Sequence, residues 1–298
     1  MQRPVHQPYL STTPFSIGLR PISTDAIIEV DGRLADDLAL KKSLFTEDEA
    51  AVFRAEPDTV AAQAEIRDLV IASAAASRSD LYVRDKVGVT IASTGDRYLF
   101  KDFGDVPLKL ASLCVQEDLC LMRRGEGGWR LAAASVCFPS AWSLKEKFGR
   151  PMGEIHTPVP GFAGRMLTVV ERIFDNLKPD EPVERHNWSL YGDAELRHTE
   201  SHEEDLELLD RETLAARLHL RIERQTLTRL SGSGDILFTI RIHIDPLDVL
   251  RRHPDRAALA RGLKDQLAGL DADQRRYKGL AGTADAIAGI LEEIAAGG

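Results

Sequence analysis

The feature that most constrains the fold is a pair of alternating apolar runs near the C-terminal third of the chain. Leu218, Leu220 and Ile222 alternate in one run, and Ile236, Phe238, Ile240, Ile242 and Ile244 alternate in the other, with Ser231-Gly232-Ser233-Gly234 between them. A period of two places the apolar side chains of each run on one face of their own strand in an antiparallel hairpin, and the glycines supply the backbone freedom that the turn needs. Continuing the count turns Arg224 inward with Leu218, Leu220 and Ile222, whereas Arg241 and His243 point away from the apolar face of their strand and are weaker site candidates. A second hairpin is expected from residues 112–122 and 129–138, joined by Arg123-Arg124-Gly125-Glu126-Gly127-Gly128. Leu131, Ala133, Val136 and Phe138 leave its second strand apolar or small on both faces, which predicts a central position.

Shorter strands are expected at 81–83 and 87–91. Helical patterns run from Leu34 to about Ser77 with a break near Pro57, through Met166, Val170, Ile173 and Leu177, and from Arg256 to Ala296 with a break at residues 279–282. Residues 1–25 carry several prolines and no period. The expected architecture is α+β: an antiparallel sheet of about five strands, helices on one side, and helical extensions at both ends. The expected divisions are an irregular arm (1–25), a main domain (26–255) and a C-terminal helical extension (256–298).

Composition narrows the function classes. A chain of 298 residues with 43% hydrophobic content can bury a full core. Its formal charge of −9 disfavours nucleic acid as a partner. No apolar run approaches the roughly 20 residues of a membrane span, and the start Met1-Gln2-Arg3-Pro4-Val5-His6 lacks the basic and apolar regions of a secretory signal, so a cytoplasmic location is expected. Cys114, Cys120 and Cys137 show no metal-ligand spacing. No dinucleotide fingerprint, phosphate loop, nucleophile elbow or HExxH pair occurs, so a familiar dinucleotide or nucleotide loop is excluded.

Residues 136–160 form the densest local motif. Phe138 ends an apolar run, Ser140 is placed to cap a helix anchored by Trp142 and Phe148, and Gly149 with Pro151 stops that helix. His156 follows the stop. Pro158 and Pro160 restrict the backbone around it, which makes a rigid mount. A histidine in a turn usually serves as a structural hydrogen-bonding residue; ligation is the alternative reading.

Several motifs occur in a characteristic order: Gln116-Glu117-Asp118-Leu119-Cys120-Leu121-Met122, Cys137-Phe138-Pro139-Ser140-Ala141-Trp142, Lys147-Phe148-Gly149, Ile155-His156-Thr157-Pro158-Val159-Pro160, Arg185-His186-Asn187-Trp188, and Arg221-Ile222-Glu223-Arg224-Gln225-Thr226-Leu227-Thr228-Arg229-Leu230. As a set they resemble the haem-dependent oxidative N-demethylase family. The resemblance implies haem b in a PAS-like fold, O2-dependent removal of a methyl group from a small amine such as dimethylamine, and electrons from NAD(P)H through flavin and iron–sulfur partner subunits. This chain has no dinucleotide fingerprint or cluster-binding cysteine set, so the reductase would be another polypeptide; an oligomer is possible on this reading.

Under that resemblance His156 is the first choice as iron ligand, His186 the reserve, and Cys137 a distant third. Arg224 and Arg185 suit haem propionates, with structural ion pairs as the other reading. Trp142 and Trp188 suit a porphyrin wall or a core. Asn187 suits a cap or a site donor, and Glu117 or Asp118 suits an ammonium substrate, with solvated turn acids as the alternative. A haem- or small-molecule-binding sensor and a haem-free structural subunit are the rival functions.

Overall fold

The computed structural model describes residues 6–10, 18–200 and 206–297. Its frame is a seven-stranded antiparallel sheet. After the two-residue strand β1 (Arg20–Pro21) come helix α1 (Leu34–Val52), strand β2 (Phe53–Ala55) and helix α2 (Val60–Ser77). The segment from β3 (Tyr82–Arg84) through β4 (Gly88–Ile91) to β5 (Asp96–Leu99) folds into its own three-stranded sheet. Helix α3 (Pro107–Ser112) then leads into the hairpin β6 (Asp118–Gly125) and β7 (Gly128–Ser135). Short helices α4 (Leu144–Lys147) and α5 (Met152–Ile155) and the longer α6 (Leu167–Asn176) precede β8 (Val183–Tyr191). Helix α7 (Arg211–Arg217) precedes the hairpin β9 (His219–Arg229) and β10 (Ile236–Pro246), and α8 (Arg256–Ala268), α9 (Ala272–Tyr277) and α10 (Ala284–Ala296) end the described chain.

The strand order is β1-β8-β9-β10-β6-β7-β2. The C-terminal hairpin forms where the alternation predicts it, paired in continuous register from Arg229↔Ile236 to His219↔Pro246, and this register puts Leu220 and Ile222 on the face opposite Ile236, Phe238, Ile240, Ile242 and Ile244. The other hairpin differs at both ends. Its first strand starts at Asp118 because Pro107 opens a helix that buries Leu108, Leu110 and Ala111, an apolar stretch short enough to read as either element. Its second strand stops at Ser135. Beyond it the Asp118 carboxylate accepts the amides of Cys137 and Phe138 at 2.8 and 2.9 Å, which draws residues 136–138 out of the sheet. The tight turn between β6 and β7 pairs Gly125 with Gly128, whose φ of +101° is the left-handed region open to glycine.

The expected one-sided helical cover is corrected. Residues directly opposite in the ladders share a face, so Glu184, His186, Trp188 and Leu190 lie on the same face as Leu220, Ile222, Arg224, Arg241 and His243. This first face carries two apolar cores. Leu119, Leu121, Ala133 and Leu237 pack with residues of α1 to α3, whereas Trp188, Leu190, Leu220 and Ile222 pack with α8 and α10. The second face carries Cys120, Met122, Ala134 and Leu227 against Leu144, Met152, Phe162 and Phe174, so α4 to α6 cover the opposite side.

The helix expected after Ser140 is also shorter than its apparent signals. It begins after Ser143, and the Ser140 hydroxyl instead donates to Glu223 Oε1 at 2.6 Å and accepts from Arg221 Nε at 3.1 Å. Gly149 ends this stretch at φ +77°, as expected of a helix-stop glycine. None of the helices is long and apolar enough to cross a membrane among the described residues.

Candidate functional site

Strand β8 decides which of the candidate residues meet. Alternation sends Arg185 and Asn187 to the second face and His186 and Trp188 to the first, so one tetrapeptide serves two environments. The two faces are covered unequally. On the first face of β8, β9 and β10 every position from Glu184 to Asp245 is buried except half-buried His186. On the second face Arg185, Asn187, Ser189, Glu223, Gln225, Phe238, Ile240 and Ile244 are all only half-buried. A partly uncovered sheet face thus sits among well-packed elements.

His156 stands over this face at the end of α5. Its backbone amide donates to Met152 O at 3.1 Å, and its Nδ1 lies 2.9 Å from the same carbonyl. A carbonyl only accepts, so Nδ1 carries the proton and Nε2 presents its lone pair. Residues 157–161 double back through the bond from Val159 N to His156 O, 2.9 Å, and Gly161 at φ +72° directs the chain into the irregular turn Phe162–Met166, where Ala163 and Gly164 leave helical geometry. Phe162 thereby stacks on the imidazole with ring centroids 4.2 Å apart and planes 15° apart. Burial, with Lys147 and Arg185 nearby, pushes the His156 pKa down to about 4, so the imidazole is neutral at pH 7.

Three other candidates join it. Arg185 has a buried Nε with no hydrogen-bond partner, and burial lowers its pKa. Asn187 is its neighbour two residues along the same face, opposite Glu223. Trp142, like Phe148, Ile155 and Met166, packs against the apolar core of this face, and Lys147 Nζ lies 5.0 Å from its ring centroid while donating to Ile155 O at 2.9 Å.

The remaining candidates are placed elsewhere. Arg224 is buried on the first face, where its Nε meets Glu184 Oε2 at 2.7 Å and its terminal nitrogens donate to Ile27 O and Ala26 O. His186 lies against His6 with ring centroids 4.4 Å apart and planes tilted by 42°, and burial, with His6 beside it, pushes its pKa down to about 4. Trp188 is core, with Lys278 Nζ 4.9 Å from its ring centroid. Glu117 and Asp118 are fully buried rather than solvated turn acids: Glu117 Oε1 accepts Glu29 N at 2.8 Å, and Asp118 holds the two amides after β7. Burial raises the pKa of both. The Cys137 thiol is pushed up to about 12 by burial and stays protonated, which opposes a thiolate ligand.

Sequence reasoning set aside Arg241 and His243, yet both are buried in a polar cluster on the first face. Arg241 Nη2 donates to Asp31 Oδ2 at 2.7 Å, and Gln116 Nε2 donates to Asp31 at 2.9 Å and Asp37 at 2.6 Å. Both do point away from the Ile236–Ile244 face of their strand, as their phase requires, but the opposite face of β10 is covered as well.

The second-face residues suit a haem group. An imidazole oriented through Nδ1 can bind iron through Nε2, aromatic rings can flank a porphyrin, and a buried guanidinium nitrogen without a partner can meet a propionate. A family model described as haem-dependent oxidative N-demethylase, alpha subunit-like, matches residues 18–288. With that match spanning nearly the whole sequence, the chain belongs to the haem-dependent oxidative N-demethylase alpha subunit-like family.

Proposed function

We propose that this chain is the haem-binding subunit of an oxygen-dependent N-demethylase for a small methylated amine such as dimethylamine. The observation that carries the reading is the His156 imidazole, neutral, fixed by Met152 O, stacked on Phe162 and placed over the half-covered sheet face. His156 Nε2 would hold the iron, Arg185 would meet a propionate, Trp142 would wall the ring, and Phe162, stacked on the imidazole, would keep the ligand ring in place. Asn187 is the polar donor nearest this arrangement on β8. The five long strands in the order β7-β6-β10-β9-β8, with α4 to α6 inserted between β7 and β8 over one face, support a PAS-like arrangement.

When bound, haem b would supply O2 activation: one oxygen atom enters an N-methyl C–H bond, the other leaves as water, and two electrons and two protons are consumed. The hydroxylated carbon then releases formaldehyde and the shorter amine. The chain's own residues orient the cofactor, hold the imidazole neutral and limit water at the covered part of the face. Electrons come from a partner reductase carrying flavin and an iron–sulfur cluster and drawing on NAD(P)H. The alpha-subunit description of the family supports a partner, and three cysteines are one short of a four-cysteine cluster.

The test is the absorption spectrum of the haem-loaded protein beside His156→Ala and His186→Ala, followed by formaldehyde release with dimethylamine. Loss of the native Soret band in His156→Ala alone, with amine- and O2-dependent formaldehyde from wild type, is the expected result. A band changed only by His186→Ala, or formaldehyde in anaerobic or amine-free controls, overturns it.

A further inference from the structure

Three side chains far apart in sequence converge on the first face. His6 precedes β1, Glu29 precedes α1, and His243 lies in β10. His6 Nε2 is 3.2 and 2.9 Å from the two Glu29 carboxylate oxygens, and His243 Nε2 is 3.4 Å from Glu29 Oε2. One ligand atom from each of the three residues lies within 4.8 Å of the others. His243 is 7% exposed, and its Nε2 is buried without a hydrogen-bond partner. The buried Nε2 of His186, on a ring tilted by 42° against His6, has none either but stands outside this three-residue set. An unpartnered buried nitrogen is costly, and His243 Nε2, beside the Glu29 carboxylate that His6 also meets, calls for a group that would satisfy it.

We propose that His6, Glu29 and His243 form a binding site for a divalent transition-metal cation of the zinc type. Two imidazoles and one carboxylate match that class of ion and leave a coordination position for water, whereas calcium and magnesium prefer all-oxygen shells. The neighbouring guanidiniums are already matched. Arg224 reaches Glu29 Oε2 at 3.6 Å but is held more closely by Glu184, and Arg241 is held by Asp31 and Asp37. Such an ion would clasp the segment around His6 to β10, at the seam between the two apolar cores of the first face. It lies on the opposite side of the sheet from His156 and does not depend on haem.

The test uses the full chain, haem-free and haem-loaded, dialysed against Zn2+ and washed through a metal-free column, with metal counted by mass spectrometry and affinity measured by calorimetry. Co2+ absorption in the visible region reports the ligand set. Wild type is expected to retain one Zn2+ per chain, and His243→Gln and His6→Gln each to weaken binding at least about 10-fold while circular dichroism shows the fold intact. If His243→Gln does not fold, His6→Gln decides. Substoichiometric zinc in wild type, or affinity unchanged in the folded variants, overturns the proposal. Failure of the haem reading would appear separately, as a missing Soret band with zinc stoichiometry unaffected.

Discussion

Two arginines on neighbouring strands show how environment divides one residue type into two roles. Arg224 is saturated by Glu184 and two backbone carbonyls, whereas the Arg185 Nε is buried and unpartnered. Arg224→Gln is therefore expected to destabilise the protein by about 1–3 kcal/mol in urea unfolding, the cost of leaving buried acceptors at Ile27, Ala26 and one Glu184 oxygen without their donor while Arg20 still holds the other Glu184 oxygen at 2.6 Å. Arg185→Gln is expected to leave stability nearly unchanged and to speed haem loss to a scavenger globin by about 10- to 100-fold, the worth of a charged hydrogen bond. The histidines add a pH effect. Burial lowers the pKa of His156 and His186 from the ordinary 6.5 to about 4 in the folded chain. Between those values the unfolded chain binds more protons, so stability falls as pH drops from about 6.5 towards 4, and no such loss occurs above 6.5. Buried Glu117 and Asp118 shift the opposite way, so the contribution is read as a difference. Haem-free His186→Gln is expected to lose about 1–3 kcal/mol less than wild type between pH 7 and pH 4.5 in urea titrations.

At the scale of elements, turns and strand edges carry the specificity. Gly128 has φ +101°, further from the left-handed well than Gly149 at φ +77°, and an added Cβ there would also displace the flexible Glu171 carboxylate, whereas Gly149 has open space around it. Gly128→Ala is expected to cost about 2–3 kcal/mol and Gly149→Ala about 1 kcal/mol, compared by thermal melting. Legibility follows the same physics. The C-terminal hairpin and α6 were readable because their apolar residues repeat at the period of their element. Strand β8 was not, since Glu184, Arg185, His186 and Asn187 mask its alternation and only Val183, Trp188, Leu190 and Tyr191 bear large apolar or aromatic bodies. Ser140 looked like a helix cap because its bonds to Glu223 and Arg221 are made across more than 80 residues of chain, which no local pattern records.

For the whole molecule, the C-terminal helices complete the first face. Leu259, Leu263, Ile287, Ile290 and Leu291 cover Trp188, Leu190, Leu220 and Ile222, and Tyr9 joins the same core. A chain ended after residue 255 is expected to bind a hydrophobic dye strongly and to aggregate, whereas a soluble, cooperatively melting fragment would show that the sheet stands without them. The candidate site was only partly legible for a related reason. His156 was visible from its fixed mount and its family motif, whereas the meeting of His6, Glu29 and His243 depends on how the sheet brings distant segments together.

Because neighbours along β8 look in opposite directions, its spacing matters as much as its spelling. Removing a single codon from the middle of this strand would swap the surroundings of arginine and histidine, damaging two chemistries at once where most point substitutions would touch one.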